Sequence, residues 1–77
     1  MISSSDQISQ WFTDRGFHLT YQSTAIRLLV HPELPGVEVR VGTVYVVVER
    51  DGREVFRSLT RAFDPNGSIS KVFPGLP

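Results

Sequence analysis

The stretch from Val37 to Leu59 constrains the fold more than any other part of this chain. It reads Val-Glu-Val-Arg-Val, Gly-Thr, Val-Tyr-Val-Val-Val-Glu-Arg, Asp-Gly, Arg-Glu-Val-Phe-Arg-Ser-Leu. β-Branched residues alternate with polar ones, and two-residue turn signals separate the runs. Such alternation marks strands with one face buried, and Asp-Gly between such runs is a strong hairpin signal. The expected fold class is therefore α+β, with one N-terminal helix packed on a small antiparallel β-meander of four to five strands.

The helix is expected over residues 4–15. Ser4 can cap it, and Gln7 stands three residues on, at capping-box spacing. Asp6 lies in the first turn, where a negative charge suits the helix dipole. Ile8, Trp11 and Phe12 form one apolar stripe. Gly16 can supply the left-handed residue that ends the helix, with Phe17 placed to fold back onto Phe12. About three turns are too short to persist alone, so this helix must dock on the sheet.

Two further strands follow. Phe17, Leu19 and Tyr21 alternate with His18, Thr20 and Gln22, and Ile26, Leu28 and Val30 alternate with Arg27 and Leu29. Ser23-Thr24 is the expected turn between them, and residues 32–36 (Pro-Glu-Leu-Pro-Gly) break the pattern. Gly42-Thr43 reads either as a two-residue hairpin loop or as a bulge in one long strand. The hairpin sets Val41 opposite Val44, Val39 opposite Val46 and Val37 opposite Val48, all on one face. A two-residue loop at Asp51-Gly52 continues that face with Val55, Arg57 and Leu59. The opposite face then carries Glu38, Arg40, Tyr45, Val47, Glu49, Glu54, Phe56 and Ser58. This register sets Glu49 against Glu54 and Arg50 against Arg53, which is unfavourable. A three-residue loop would avoid that, but it would turn Glu54 onto the valine face at a larger desolvation cost. Asp64-Pro65-Asn66-Gly67 is a turn, and residues 64–77 read as an irregular C-terminal tail.

The 77 residues are expected to form a single domain, 1–77. A chain of this length buries only about 60–65% of the surface it exposes when unfolded. It has no cysteine, so neither a disulfide nor a thiolate metal site can staple it. Stability must come from the core or from association, which favours an oligomer or complex subunit. Eight acidic residues balance eight basic ones, so nothing pulls the whole chain toward nucleic acid or an anionic membrane. Residues 1–6 have neither a basic n-region nor an apolar h-region, and a cytoplasmic location is the default expectation.

Motifs for catalysis are absent. The chain has no Gly-x-Ser-x-Gly, no P-loop and no Gly-x-Gly-x-x-Gly. His18 and His31 have no partners at metal-site spacing and read as surface residues. The expectation is a protein that is not an enzyme, with no catalytic residue, no metal and no cofactor. A helix followed by Gly16-Phe17, Gln22, His31-Pro32 and a valine strand resembles, over about the first half of the chain, HicA-type RNA-cleaving toxins. Those carry a histidine at the first hairpin, where this chain has Ser23, Thr24 and Ala25, so the resemblance transfers no activity.

Binding remains. One helix covers one face of the sheet, leaving Arg40, Tyr45, Val47 and Phe56 as the expected partner-binding residues on the other. Tyr and Arg are residue types that often dominate interface energy, and the Arg40 guanidinium is placed to stack on Tyr45 across the turn. The competing expectation is that Phe63, Val72 and Phe73 fold back over this face and complete the core. The reading that follows is a small protein-binding module or accessory subunit, with another protein or a second copy as its partner. The runner-up is an RNA- or DNA-binding domain using Arg40, Arg50, Arg53, Arg57 and Arg61, interleaved with Tyr45 and Phe56. Glu38, Glu49, Asp51 and Glu54 in the same region count against it.

Overall fold

The computed structural model describes residues 4–67 and 69–73. Helix α1 (Ser5–Thr13) precedes five strands, β1 (His18–Gln22), β2 (Ile26–Val30), β3 (Val37–Gly42), β4 (Tyr45–Arg50) and β5 (Arg53–Leu59). A 3₁₀ turn (Thr60–Ala62) and a one-turn helix α2 (Ile69–Val72) follow. The strands form a single antiparallel meander in the order β1-β2-β3-β4-β5. This is the α+β class that the alternation and the N-terminal stripe predict.

Local signals set α1. The Ser4 hydroxyl accepts from the Gln7 amide at 3.2 Å, satisfying one free N–H of the first turn. Gly16 has φ +94°, and the Phe17 amide reaches back to the Phe12 carbonyl at 3.1 Å. That closure folds the Phe17 ring onto Phe12, with centroids 5.1 Å apart in an edge-on arrangement. His31 locks the junction. Its Nδ1 accepts from the Glu33 amide at 3.1 Å, so its Nε2 carries the proton and donates to the Arg15 carbonyl, also at 3.1 Å. The histidine expected on the surface thus clasps the helix end to the β2–β3 loop.

The core lies on one side of the sheet. Leu29, Val39, Val41, Val46 and Val48 project upward, and Ile8, Phe12, Phe17, Phe63, Ile69 and Phe73 pack down on them. Each fully buried phenylalanine contributes roughly 1.5–3 kcal/mol of hydrophobic stabilisation. Where an irregular tail is expected over 64–77, residues 69–72 make a helical turn that buries Ile69, and Phe73 beside it is buried as well. Residues 74–77 lie outside the described part. Phe63 and Phe73 join the helix side of the sheet, not the opposite face that the competing expectation assigns them. Phe73 lies 5.6 Å from Phe17, and Phe63 lies 6.0 Å from Phe12.

Three turns decide the register. Asp51-Gly52 forms the expected two-residue loop, with φ of 52° and 82° and Arg50 opposite Arg53. The other two turns fall one residue later than expected. Between β3 and β4 the loop is Thr43-Val44, which sets Val41 opposite Val46 and Val39 opposite Val48. Neither loop residue has positive φ, so the twist-matched hairpin turns are not used. Thr60 holds this turn from outside, its amide donating to Val44 O at 2.7 Å and its hydroxyl to Gly42 O at 2.8 Å. Between β1 and β2 the Ser23 hydroxyl accepts from the amides of Ala25 and Ile26, closing the chain around Thr24-Ala25. Both slips move the pairing by two residues along the ladder, which leaves the valines on their expected face.

Two of the three described glycines of positive φ, Gly16 and Gly52, differ in a measurable way. A Cβ on Gly52 would meet nothing within 4 Å, whereas one on Gly16 would stand 2.8 Å from His31 Nε2. Gly52→Ala therefore carries backbone strain alone, about 1 kcal/mol, while Gly16→Ala adds a broken clasp and should exceed about 2 kcal/mol. Urea denaturation of both variants should rank Gly16→Ala as clearly the less stable; equal midpoints would contradict the clasp.

Candidate functional site: the open face of the sheet

A bulge in β5 determines what the second face carries. The ladder shifts between Val48 and Glu49, so Glu54 pairs with Glu49 while Phe56, not Val55, stands opposite Val48. One extra residue reverses the facing of everything beyond it. Phe56 turns to the core side and meets Phe63 edge-on at 6.4 Å. Arg57, expected on the valine face, turns to the open side opposite Val47. The exchange places an aromatic ring in the core and a guanidinium in water, which is the favourable direction for both.

The expected partner-binding set is thus divided. Arg40, Tyr45 and Val47 share the open face, with Arg40 directly opposite Val47. Phe56 lies on the other side and packs against the core. Arg40 does not stack on Tyr45; Arg57 does, its guanidinium carbon 5.0 Å from the ring centroid. The sequence reading missed Arg57 because β5 offers no glycine or proline to mark the bulge. The like-charge conflict between Glu49 and Glu54 was a signal, since Arg57 now neutralises Glu54 through bonds of 2.8 and 3.1 Å. Those hydrogen bonds hold the Glu54 carboxyl below its ordinary pKa and raise that of Arg57.

Read across the strands, the open face is banded. One band runs Tyr21, Leu28, Arg40, Val47, Arg57. A second, next to it along the strands, runs His18, Val30, Glu38, Glu49, Glu54. On the far side of the arginine band, Tyr45 stands opposite Leu59, and Ile26 opposite Gly42. Adjacent bands on one face lie about 7 Å apart. Val47 is the floor at 8% exposure, and Tyr45 is 45% exposed. Arg40, Tyr45, Val47, Arg57, Ala25 and Val44 line a shallow depression of about 300 Å³.

The ion pairs among the described residues are Arg27–Asp6 and Arg57–Glu54. Arg40, Glu38 and Glu49 take part in neither. Glu38 and Glu49 stand directly opposite each other, a pairing that costs free energy within the chain. No group of three or more His, Asp or Glu among the described residues is arranged to hold a metal ion, the glutamate band included. No helix among them is long and apolar enough to cross a membrane.

Separation of Phe56 from Tyr45 has a direct consequence. Phe56→Ser should destabilise the isolated domain by about 1–3 kcal/mol, because the ring rests on Phe63 and Val48. Tyr45→Ser should leave the thermal midpoint nearly unchanged. Melting curves followed by circular dichroism read both, and equal losses would contradict the bulged register.

Comparison with known proteins adds no further label: no family model, the RNA-cleaving toxin family included, no curated protein and no solved structure matches this chain.

Proposed function

We propose that the chain is a small, non-catalytic protein-binding module or accessory subunit of the cytoplasm, contacting its partner through the open face of its sheet. One observation carries this reading. Helix α1, Phe63 and the α2 turn all pack on one side, which leaves Tyr45 exposed and Leu28, Ile26 and Leu59 half-buried around the buried Val47 on the other. An apolar and aromatic surface rimmed by charges is the composition of a contact patch. Arg57 is preordered by Glu54 and the Tyr45 ring, so little side-chain entropy remains to be lost on binding. The β1 strand, exposed along its whole length, offers strand addition as an accessory route.

The nucleic-acid reading has less support. Arg40 and Arg57 lie one band away from Glu38, Glu49 and Glu54, and a phosphate backbone tracking the arginines would run alongside three carboxylates. Arg50 and Arg53 pair at the far end of the sheet, apart from them.

The test is a photo-crosslinking residue in place of Tyr45, with a control at the exposed Lys71 on the helix side. In native lysate, protein adducts should form from position 45 and be weakened by Arg40→Glu. Adducts no more abundant at position 45 than at position 71 would overturn the reading. Retention on phosphocellulose abolished by Arg40→Glu, without protein adducts, would replace it with nucleic-acid binding.

A further inference from the structure

We infer that the open face is self-complementary and that its occupant is a second copy of this chain, packed face to face about a two-fold axis. This inference rests on the binding-module reading and names its partner. On the open face, Arg40, Glu38 and Glu49 take part in neither of the ion pairs among the described residues. Arg40 lies in one band, and Glu38 and Glu49 form a cross-strand pair in the next. Consider a two-fold axis lying between the sheets, parallel to the bands and midway between these two. Rotation about it keeps each strand over its counterpart but exchanges the bands. The arginine band of one copy then lies on the glutamate band of the other.

The consequence is specific at the residue level. Because β3 stays over β3 and β4 over β4, Arg40 of one copy comes over Glu38 and Glu49 of the second copy, and the reverse holds for the other pair. Sheets packed face to face stand about 10 Å apart, which extended Arg and Glu side chains span from the two sides. A guanidinium has donors enough for two carboxylates at once. The repulsion between Glu38 and Glu49, unrelieved in one copy, becomes a site for the other copy's cation. Arg57 stays with its own Glu54, so it holds the Tyr45 ring in place. Tyr45, on β4, is carried over the Asp51 end of β4 in the second copy, where the Asp51 carboxylate lies against Gly36. An isologous contact of this kind requires the same patch to carry both members of each pair, and this face does.

Size sets the strength. Five strands about 4.8 Å apart and some five residues long give a footprint of roughly 400 Å² per copy. That is at the low end for specific association, so the dimer should be weak and reversible.

Charge exchange tests it. Sedimentation equilibrium of the full chain, from micromolar to millimolar concentration, should show a monomer–dimer equilibrium. Arg40→Glu alone should weaken dimerisation at least about tenfold, and so should the double variant Glu38→Arg with Glu49→Arg, since each self-pair sets like charges together. An equimolar mixture of the two should dimerise, because in the mixed pair every position 40 meets opposite charges. The mixture also serves as the folding control, since misfolded variants would not recover together. A wild-type chain that stays monomeric throughout overturns the inference, as does a dimer indifferent to Arg40→Glu or a mixture that fails to recover while both variants keep the wild-type circular dichroism spectrum. Protein adducts from position 45 with other chains but none with itself would likewise overturn the second copy as occupant while leaving the binding-module reading intact; no adducts at all would remove both.

Discussion

Phe12 is the point through which the upper layer of this protein is held. Its ring is edge-on to Trp11 at 4.9 Å and to Phe17 at 5.1 Å, and it meets Phe63 at 6.0 Å. Those three neighbours come from the helix itself, from its terminating turn, and from the chain that follows the last strand. An α-helix of nine residues cannot persist on its own propensity. It is retained because the Phe12–Phe17 closure at Gly16 and the arrival of Phe63 bury its stripe on the valines. The lower face has no such organiser, and its openness is the other side of the same allocation.

The β5 bulge links that allocation to the candidate site. With uninterrupted alternation Phe56 would face water on the open side and Arg57 would be pressed toward the core. One inserted residue exchanges them, so the aromatic ring joins Phe63 and the guanidinium reaches Glu54 and Tyr45. Core packing and surface chemistry are therefore not independent choices here. The residue that completes the hydrophobic layer and the residue that preorders the open face are neighbours in sequence, and the bulge serves both.

What was legible in the sequence follows the range of the forces involved. The helix start at Ser4 and its end at Gly16-Phe17 are made by groups within five residues of one another, and both were readable. So was Asp51-Gly52, whose backbone needs positive φ at both positions. The Thr43-Val44 turn was not, because it is held by Thr60, which arrives from the far end of β5. Gly42 drew the expectation to itself, although its position at the end of β3 is explained by space: a Cβ there would approach the Tyr45 carbonyl to 3.2 Å. A register error of two residues preserved the faces, so Arg40, Tyr45 and Val47 were placed together correctly. The bulge is an offset of one, and it cost Phe56 and Arg57 their sides. The helical turn at Ile69 was obscured for a different reason: four residues carry too little periodicity to register.

The open face also bears on how a chain of this size stays folded. With 77 residues and no cysteine, the protein has committed its phenylalanines Phe12, Phe17, Phe56, Phe63 and Phe73 to a single layer. Leu28, Ile26, Val30 and Leu59 are left half-covered on the other. Each of them retains hydrophobic free energy that only a second surface can realise. Any ligand that binds the folded state and not the unfolded chain stabilises it by mass action. Association through this face would then act twice: once as recognition, and once by supplying the burial that a lone five-stranded sheet with one helix leaves incomplete. The like-charged pair Glu38–Glu49 belongs to the same logic, since a cost borne by the free domain and relieved in a complex contributes to the preference for that complex.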